Sequence, residues 1–266
     1  MKYVFLVYVL LLIQSCNHNE SYRFRIAEKD GILQASPVSL KMDTLGLGGM
    51  DGQSNLVLMN NGKQIPFQID NDRKRLWFVH TPNNTSSYEI VKEEAKGHGL
   101  EGVNVDKRNG NLQLSKGSVP LLTYRYGMTY PPEGVDSIFR KSGYLHPMLT
   151  PSGDTLSRIQ PPDHYHHYGI WGPWTHTRIE GERVDFWNLV ERQGTVLFKA
   201  FNDTYSGDVY GGFNARQEHI NLQATEDNRI ALNEDLDVKV WDLDRPDRYM
   251  VDYTTSFTSP LENGIL

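Results

Sequence analysis

The chain has 266 residues, of which 38% are hydrophobic, 11% aromatic and 23% charged. This composition is typical of a globular protein and excludes a disordered or fibrous one. The 27 basic and 33 acidic side chains give a net charge of −6, which argues against nucleic-acid binding, since that needs clustered positive charge. The single cysteine excludes an internal disulfide framework and a Cys-rich metal site.

Residues 1–16 read MKYVFLVYVLLLIQSC and predict a secretory signal peptide. The apolar run after Lys2 ends at Ile13, which is too short for a membrane span of about 20 residues. Because Cys16 directly follows Ser15, the segment resembles a bacterial lipobox, in which the cysteine is lipidated. We therefore expect an exported lipoprotein, periplasmic or at the cell surface, that a lipid anchors to the membrane. The alternative is an N-terminal strand or helix that ends in a buried cysteine.

Residues 17–21 are predicted to form a polar tether, and residues 22–95 a small antiparallel β unit. Short β-rich segments in this unit alternate between apolar and polar side chains and are separated by turn residues. Asn61-Gly62 between two such segments is a strong signal for a β-hairpin. The predicted strands are 22–27, 38–42, 56–59, 65–69, 76–79 and 88–91.

The polar, glycine-containing stretch 92–102 predicts a boundary, and residues 103–266 predict a larger β domain. Many short strands, without an amphipathic helix of three or more turns, favour an all-β antiparallel β-sandwich. The predicted strands are 112–114, 119–126, 169–178, 184–190, 195–201, 217–223, 238–243 and 249–257. Only Ile265 and Leu266 follow the turn signal at 260–264, so we expect a truncated domain; the alternative is that these two residues cap it.

Residues 163–188 hold four of the nine histidines and three of the five tryptophans, which predicts a functional site. On an extended backbone His164 and His166 would point one way and His167 the other. Two such imidazoles can share one divalent metal ion, with Asp163, His176 or Asp185 completing the ligands. The preferred ligand set is His164, His166 and His176.

The same residues could work without a metal. A histidine exchanges protons near neutral pH, and an adjacent carboxylate would orient it. The candidate catalytic residues are His164, His166, His167, Asp163 and His146. The candidate substrate-binding residues are Trp171, Trp174, Trp187, Tyr168 and Arg125, because flat aromatic faces suit sugar rings. The alternative is that these tryptophans belong to the core.

Residues 143–172 resemble a family of bacterial proteins named PmoA, or methane oxygenase, proteins. The resemblance rests on Tyr144–Pro147, Thr150–Gly153, Pro161–His167 and Gly169-Ile170, and Asp185-Phe186-Trp187 and His219 are similar to family residues. The family position usually held by Arg is Tyr168 here. The resemblance implies a supersandwich fold like that of sugar mutarotases and polysaccharide lyases, and a carbohydrate role.

Together these observations predict an exported lipoprotein enzyme that acts on a sugar or glycoside by hydrolysis, elimination or epimerisation. The first alternative is a non-catalytic glycan-binding lipoprotein, in which the tryptophans bind and the histidines only shape the pocket. The second is a copper oxygenase, as the family name suggests, since neighbouring imidazoles could hold copper.

Overall fold

A computed structural model describes residues 21–26, 34–47, 56–82, 87–92, 102–226 and 229–261. The predicted signal peptide with Cys16, nearly all of the predicted tether and the last five residues lie outside the described residues. The chain divides into two compact units. The first holds the described residues up to 92 together with Asp242–Asp244, and the second holds the remaining described residues from Gly102 onward.

The first unit consists of two small antiparallel sheets that share one core. One sheet consists, in spatial order, of β1 (Ser21–Arg25), β7 (Ser87–Lys92), β3 (Leu56–Asn60) and β4 (Lys63–Ile65). The other consists of β2 (Ser36–Lys41), β6 (Arg75–His80) and β5 (Gln68–Asp70). Phe24, Phe78 and Tyr88 pack against one another in that core, with Phe24 and Tyr88 stacked at 5.3 Å between ring centroids. The first unit also contains the 3-10 helix Asp43–Leu45.

The Asn-Gly hairpin that the sequence predicts is present between β3 and β4. Asn60 pairs with Lys63, and the two turn residues Asn61 and Gly62 both have positive φ angles, of 52° and 71°. That backbone conformation matches the twist of the flanking strands, and Asn and Gly adopt it most easily.

The second unit is built around two four-stranded antiparallel sheets. In spatial order, the first consists of β11 (Tyr144–Met148), β10 (Val119–Arg125), β9 (Asn111–Lys116) and β8 (Val103–Arg108), and the second of β14 (Gly194–Tyr205), β15 (Tyr210–Asn221), β16 (Ile230–Trp241) and β17 (Met250–Thr258). The unit also has a short hairpin of β12 (Thr177–Ile179) and β13 (Glu182–Val184). Along most of β15 and β16, buried side chains alternate with more exposed ones. The unit also contains the 3-10 helices Ser137–Phe139 and Leu189–Glu191.

Side chains from both large sheets interleave to form the main core of the second unit. Leu112, Leu122 and Tyr124 come from the first sheet, and Phe213 and Val238 from the second. Every strand pair among the described residues is antiparallel. The predicted all-β antiparallel sandwich is therefore confirmed.

Three predicted strands are wrong. The predicted strand 65–69 is divided between two sheets, because β4 ends at Ile65 and β5 begins at Gln68. Residues 169–176 are irregular apart from a bridge between Ile170 and Leu145, and only Thr177–Ile179 at the end of the predicted strand 169–178 is extended in a sheet. Residues 184–190 give a strand that ends at Val184 and a 3-10 helix that begins at Leu189. Apolar side chains gave the last two segments a strand-like pattern, but their backbone follows bends and turns. In the part of the chain that the structure describes, no helix is long and apolar enough to cross a membrane.

Candidate functional site

The histidine-rich segment is a closed loop of two successive turns, residues 160–167, which we call the His loop. The amide of His164 donates to the carbonyl of Pro161, and the amide of His167 donates to the carbonyl of His164. A bridge between Ile159 and Tyr168 closes the loop. The expectation of an extended backbone with alternating faces is therefore wrong, because local hydrogen bonds fold the segment back on itself.

The turns bring the three imidazoles together against one indole ring. His164 and His167 stack with 4.8 Å between centroids, and His166 meets His167 edge-on at 4.6 Å. Trp187 lies beside them, 4.8 Å from His166 and 5.4 Å from His167. His167, which was expected to point away from His164 and His166, is thus in contact with both.

Asp163 orients His164 at the exposed side of the His loop. Its Oδ2 lies 3.0 Å from Nδ1 of His164, and both side chains are at least half exposed. The hydrogen bond from His164 lowers the pKa of Asp163 below its ordinary value. A carboxylate on one imidazole nitrogen fixes the tautomer and leaves the other nitrogen to act on a bound molecule.

His166 lies half-buried in the His loop, beside the other two imidazoles. Partial burial lowers its pKa, the neighbouring His167 and His164 lower it further, and the carboxylate of Asp185 opposes this. Asp185 itself is buried and its Oδ1 accepts hydrogen bonds from the amides of Trp187 and Asn188. These hydrogen bonds fix the backbone at Trp187, whose ring contacts His166 and His167. The carboxylate of Asp185 stays buried.

Arg125 and His146 lie on two paired strands, β10 and β11. Arg125 Nε donates to the carbonyl of His146 at 2.9 Å, and His146 Nδ1 is 2.9 Å from Ser157 Oγ. Burial first, and then the Arg125 charge, lower the pKa of His146. A backbone bridge from Leu145 to Ile170 ties this strand to the segment that follows the His loop.

The predicted aromatic residues occupy four different surroundings. Tyr168 is 1% exposed and its hydroxyl bonds to Gln160 and to the carbonyl of Phe139, so it belongs to the core and offers no open face. Trp171 packs against two core clusters, whereas Trp174 is 40% exposed with its ring 5.2 Å from Phe257. Of the three tryptophans, Trp187 is the one in ring contact with the histidines.

The predicted metal ligands do not form a metal site in the arrangement seen. His176 is exposed and directly precedes β12, and Nδ1 of His164 faces Asp163. Within the described ranges, no three His, Cys, Asp or Glu side chains are placed to hold a metal ion together. The divalent metal ion expected from the sequence stays a prediction.

Sequence reasoning missed a second polar group, deep in the same unit, which we call the inner polar cluster: Lys141, Gln217, His219, Glu234 and Tyr253. Gln217 and His219 share the inner face of β15, and Glu234 lies opposite Gln217 on β16. His219 Nε2 and Glu234 Oε2 are 2.9 Å apart, and both side chains are fully buried. Polar residues at inward positions of alternating strands were the available signal for Gln217, His219 and Glu234.

Lys141 is a buried cation held by carbonyl groups and an aromatic face. Its Nζ donates to the carbonyl of Val196 at 2.6 Å and to that of Ser142 at 3.2 Å. It also lies 3.7 Å from the centroid of the Trp171 ring. Burial lowers the pKa of Lys141 and the Glu234 carboxylate opposes that shift. The two carbonyl contacts and the Trp171 ring favour the charged form, and burial opposes it.

The fold is that of an antiparallel β-sandwich protein, in which the His loop forms a histidine-rich site at the surface and the inner polar cluster is buried. Residues 111–265 match the profile of a family described as a family of unknown function (DUF6807), and the chain belongs to that family. A search of curated proteins finds no match to the chain.

Proposed function

We propose that this chain is an exported, lipid-anchored enzyme that acts on a sugar or glycoside at the His loop. The observation that supports this most is that His164, His166 and His167 contact one another and that two of them, His166 and His167, also contact Trp187. Clustered imidazoles supply both a proton acceptor and a proton donor near neutral pH. The resemblance to PmoA proteins and the lipobox-like Cys16 support the carbohydrate role and the anchor.

His164 and His166 have different roles in this proposal. His164, oriented by Asp163, exchanges a proton with a sugar hydroxyl or a leaving group through its second ring nitrogen. His166 has a lowered pKa and is neutral at pH 7, so it serves as the proton acceptor. Trp187 forms the apolar wall beside them. Hydrolysis, elimination and epimerisation all use such a proton-transfer pair.

The test is turnover of a panel of sugars and glycosides by the full chain. We expect the double variant H164A/H166A to lose at least about a hundredfold in turnover, the lower end of the range for general acid–base catalysis. The exposed control E182Q, on β13, should retain wild-type turnover. Equal turnover by the double variant and the wild type would remove the His loop from the reaction. Elemental analysis of the same sample tests the expected divalent metal ion.

A non-catalytic glycan-binding protein is the second candidate, and the exposure of Trp174 favours it. A half-open indole at the surface can stack on a sugar ring without any acid or base. In that case W174A weakens glycan binding, whereas H164A/H166A leaves it nearly unchanged. Binding measured by calorimetry on the two variants separates this candidate from the enzyme.

A further inference from the structure

Four atoms of the inner polar cluster are buried without a hydrogen-bond partner among the described residues. They are Nδ1 of His219, Oε1 of Glu234, Nε2 of Gln217 and the hydroxyl of Tyr253. An unpaired buried polar atom costs about 1–3 kcal/mol, and native proteins hold few of them. Four in one cluster, on neighbouring strands of one sheet face, point to a ligand.

The tautomer of His219 decides whether its free ring nitrogen accepts or donates. His219 Nε2 lies 2.9 Å from Glu234 Oε2, and in the neutral tautomer its Nε2–H donates to that oxygen. In that tautomer Nδ1 of His219 carries a lone pair. The group presents two acceptors, His219 Nδ1 and Glu234 Oε1, and two donors, Gln217 Nε2 and the Tyr253 hydroxyl.

Gly172 adjoins two of the four atoms. A methyl group placed on Gly172 would lie 3.5 Å from Glu234 Oε1 and 3.7 Å from the Tyr253 hydroxyl. Gly172 is itself half-buried, and it follows the His loop by five residues. The rings of Phe186 and Phe257, 5.3 Å and 5.6 Å from the His219 ring, form apolar walls around the polar atoms.

We propose that the inner polar cluster binds a small neutral ligand that carries two neighbouring hydroxyl groups. Each hydroxyl donates one hydrogen bond and accepts one, so two hydroxyls match the two acceptors and two donors. A carboxylate or phosphate would meet the like charge of Glu234 and leave both acceptors unpaired. A cation would leave both donors unpaired. The proposal concerns binding alone and stands whether or not the His loop carries out the reaction proposed above.

Two single variants test the site without removing a charge. Gly172→Ala adds a methyl at ordinary van der Waals distance from its neighbours, so the chain folds while the space beside Glu234 Oε1 is filled. Tyr253→Phe deletes one donor, and we expect about tenfold weaker binding, the effect of one hydrogen bond. Tyr130→Phe removes a hydroxyl from a side chain that is 65% exposed and is the matched control.

The experiment follows the imidazole nitrogen signals of the full chain, labelled with nitrogen-15 in histidine, by NMR during titration with glycerol or with methyl β-glucoside. The proposal predicts a saturable change at Nδ1 of His219 with at least one probe, which G172A abolishes, Y253F weakens and Y130F leaves intact. A response to glycerol alone identifies a free polyol, and a response to the glucoside identifies a sugar ring.

Some outcomes overturn the proposal. The first is no saturable change with either probe in wild type whose folding is confirmed by circular dichroism, which means that the cluster holds ordered water only. The second is an equal response in wild type and in folded G172A, which places the bound probe elsewhere. H164A/H166A separates this proposal from the proposed function, because that variant should lose turnover and keep the His219 response.

Discussion

Replacing Lys141 by methionine removes a buried ammonium and keeps a side chain of similar length. Nζ of Lys141 bonds to two carbonyl oxygens and lies on the Trp171 ring. Without the ammonium, the buried carbonyls of Ser142 and Val196 lose this donor, and each unpaired buried polar group costs about 1–3 kcal/mol. We expect about 3 kcal/mol, since Lys141 also keeps its stem packing as Met.

Urea unfolding followed by far-ultraviolet circular dichroism measures this cost. With a denaturant slope of about 2 kcal/mol per molar, a loss of 3 kcal/mol lowers the urea midpoint by about 1.5 M. The double variant K141M/E234Q should be less destabilised than the sum of its two single variants, by about 1–2 kcal/mol. A midpoint within about 0.5 M of wild type for K141M would refute the stabilising role of the contacts that Nζ of Lys141 makes with the two carbonyls and the Trp171 ring.

Three further predictions concern single positions. Gly143→Ala should destabilise the second unit by more than 1 kcal/mol, measured in the same urea assay, because a methyl would lie 2.1 Å from Gln217 Oε1 at a φ of +75°. Asp163→Asn should lower turnover by about tenfold, the effect of one hydrogen bond, because His164 loses the carboxylate that orients its ring. The urea midpoint should fall as the pH drops below about 6.5, because His146 and His166 have lowered pKa values and the unfolded chain binds more protons; a midpoint that does not change between pH 7.5 and 5.5 would contradict this.

The strands were predictable wherever a local pattern determined them. Alternating apolar residues in β10, β14 and β17 and the Asn61-Gly62 turn carry their own signal, so the all-β fold followed from the sequence. The starts of the long strands β15 and β16 were missed, because residues such as Gly211 and Asn233 weaken the pattern there. Pairing with neighbouring strands extends them, and that is a tertiary effect.

The candidate site was predictable in composition and not in geometry. The enrichment of histidine marked the His loop, but hydrogen bonds such as His164 N to Pro161 O turn the chain and reverse the expected direction of His167. Lys141 carries no local signal, since a lysine in a loop is ordinarily exposed. Its burial depends on Trp171 and Val196, which lie 30 and 55 residues away in the sequence.

The most direct test of the proposed function is the turnover of sugars and glycosides by the full chain, assayed beside H164A/H166A with and without added divalent metal. The proposal predicts that at least one sugar or glycoside is converted by the wild type and that the double variant loses at least about a hundredfold. No conversion under any of these conditions, or equal conversion by the folded double variant, would contradict the assignment of the His loop as a carbohydrate-active centre.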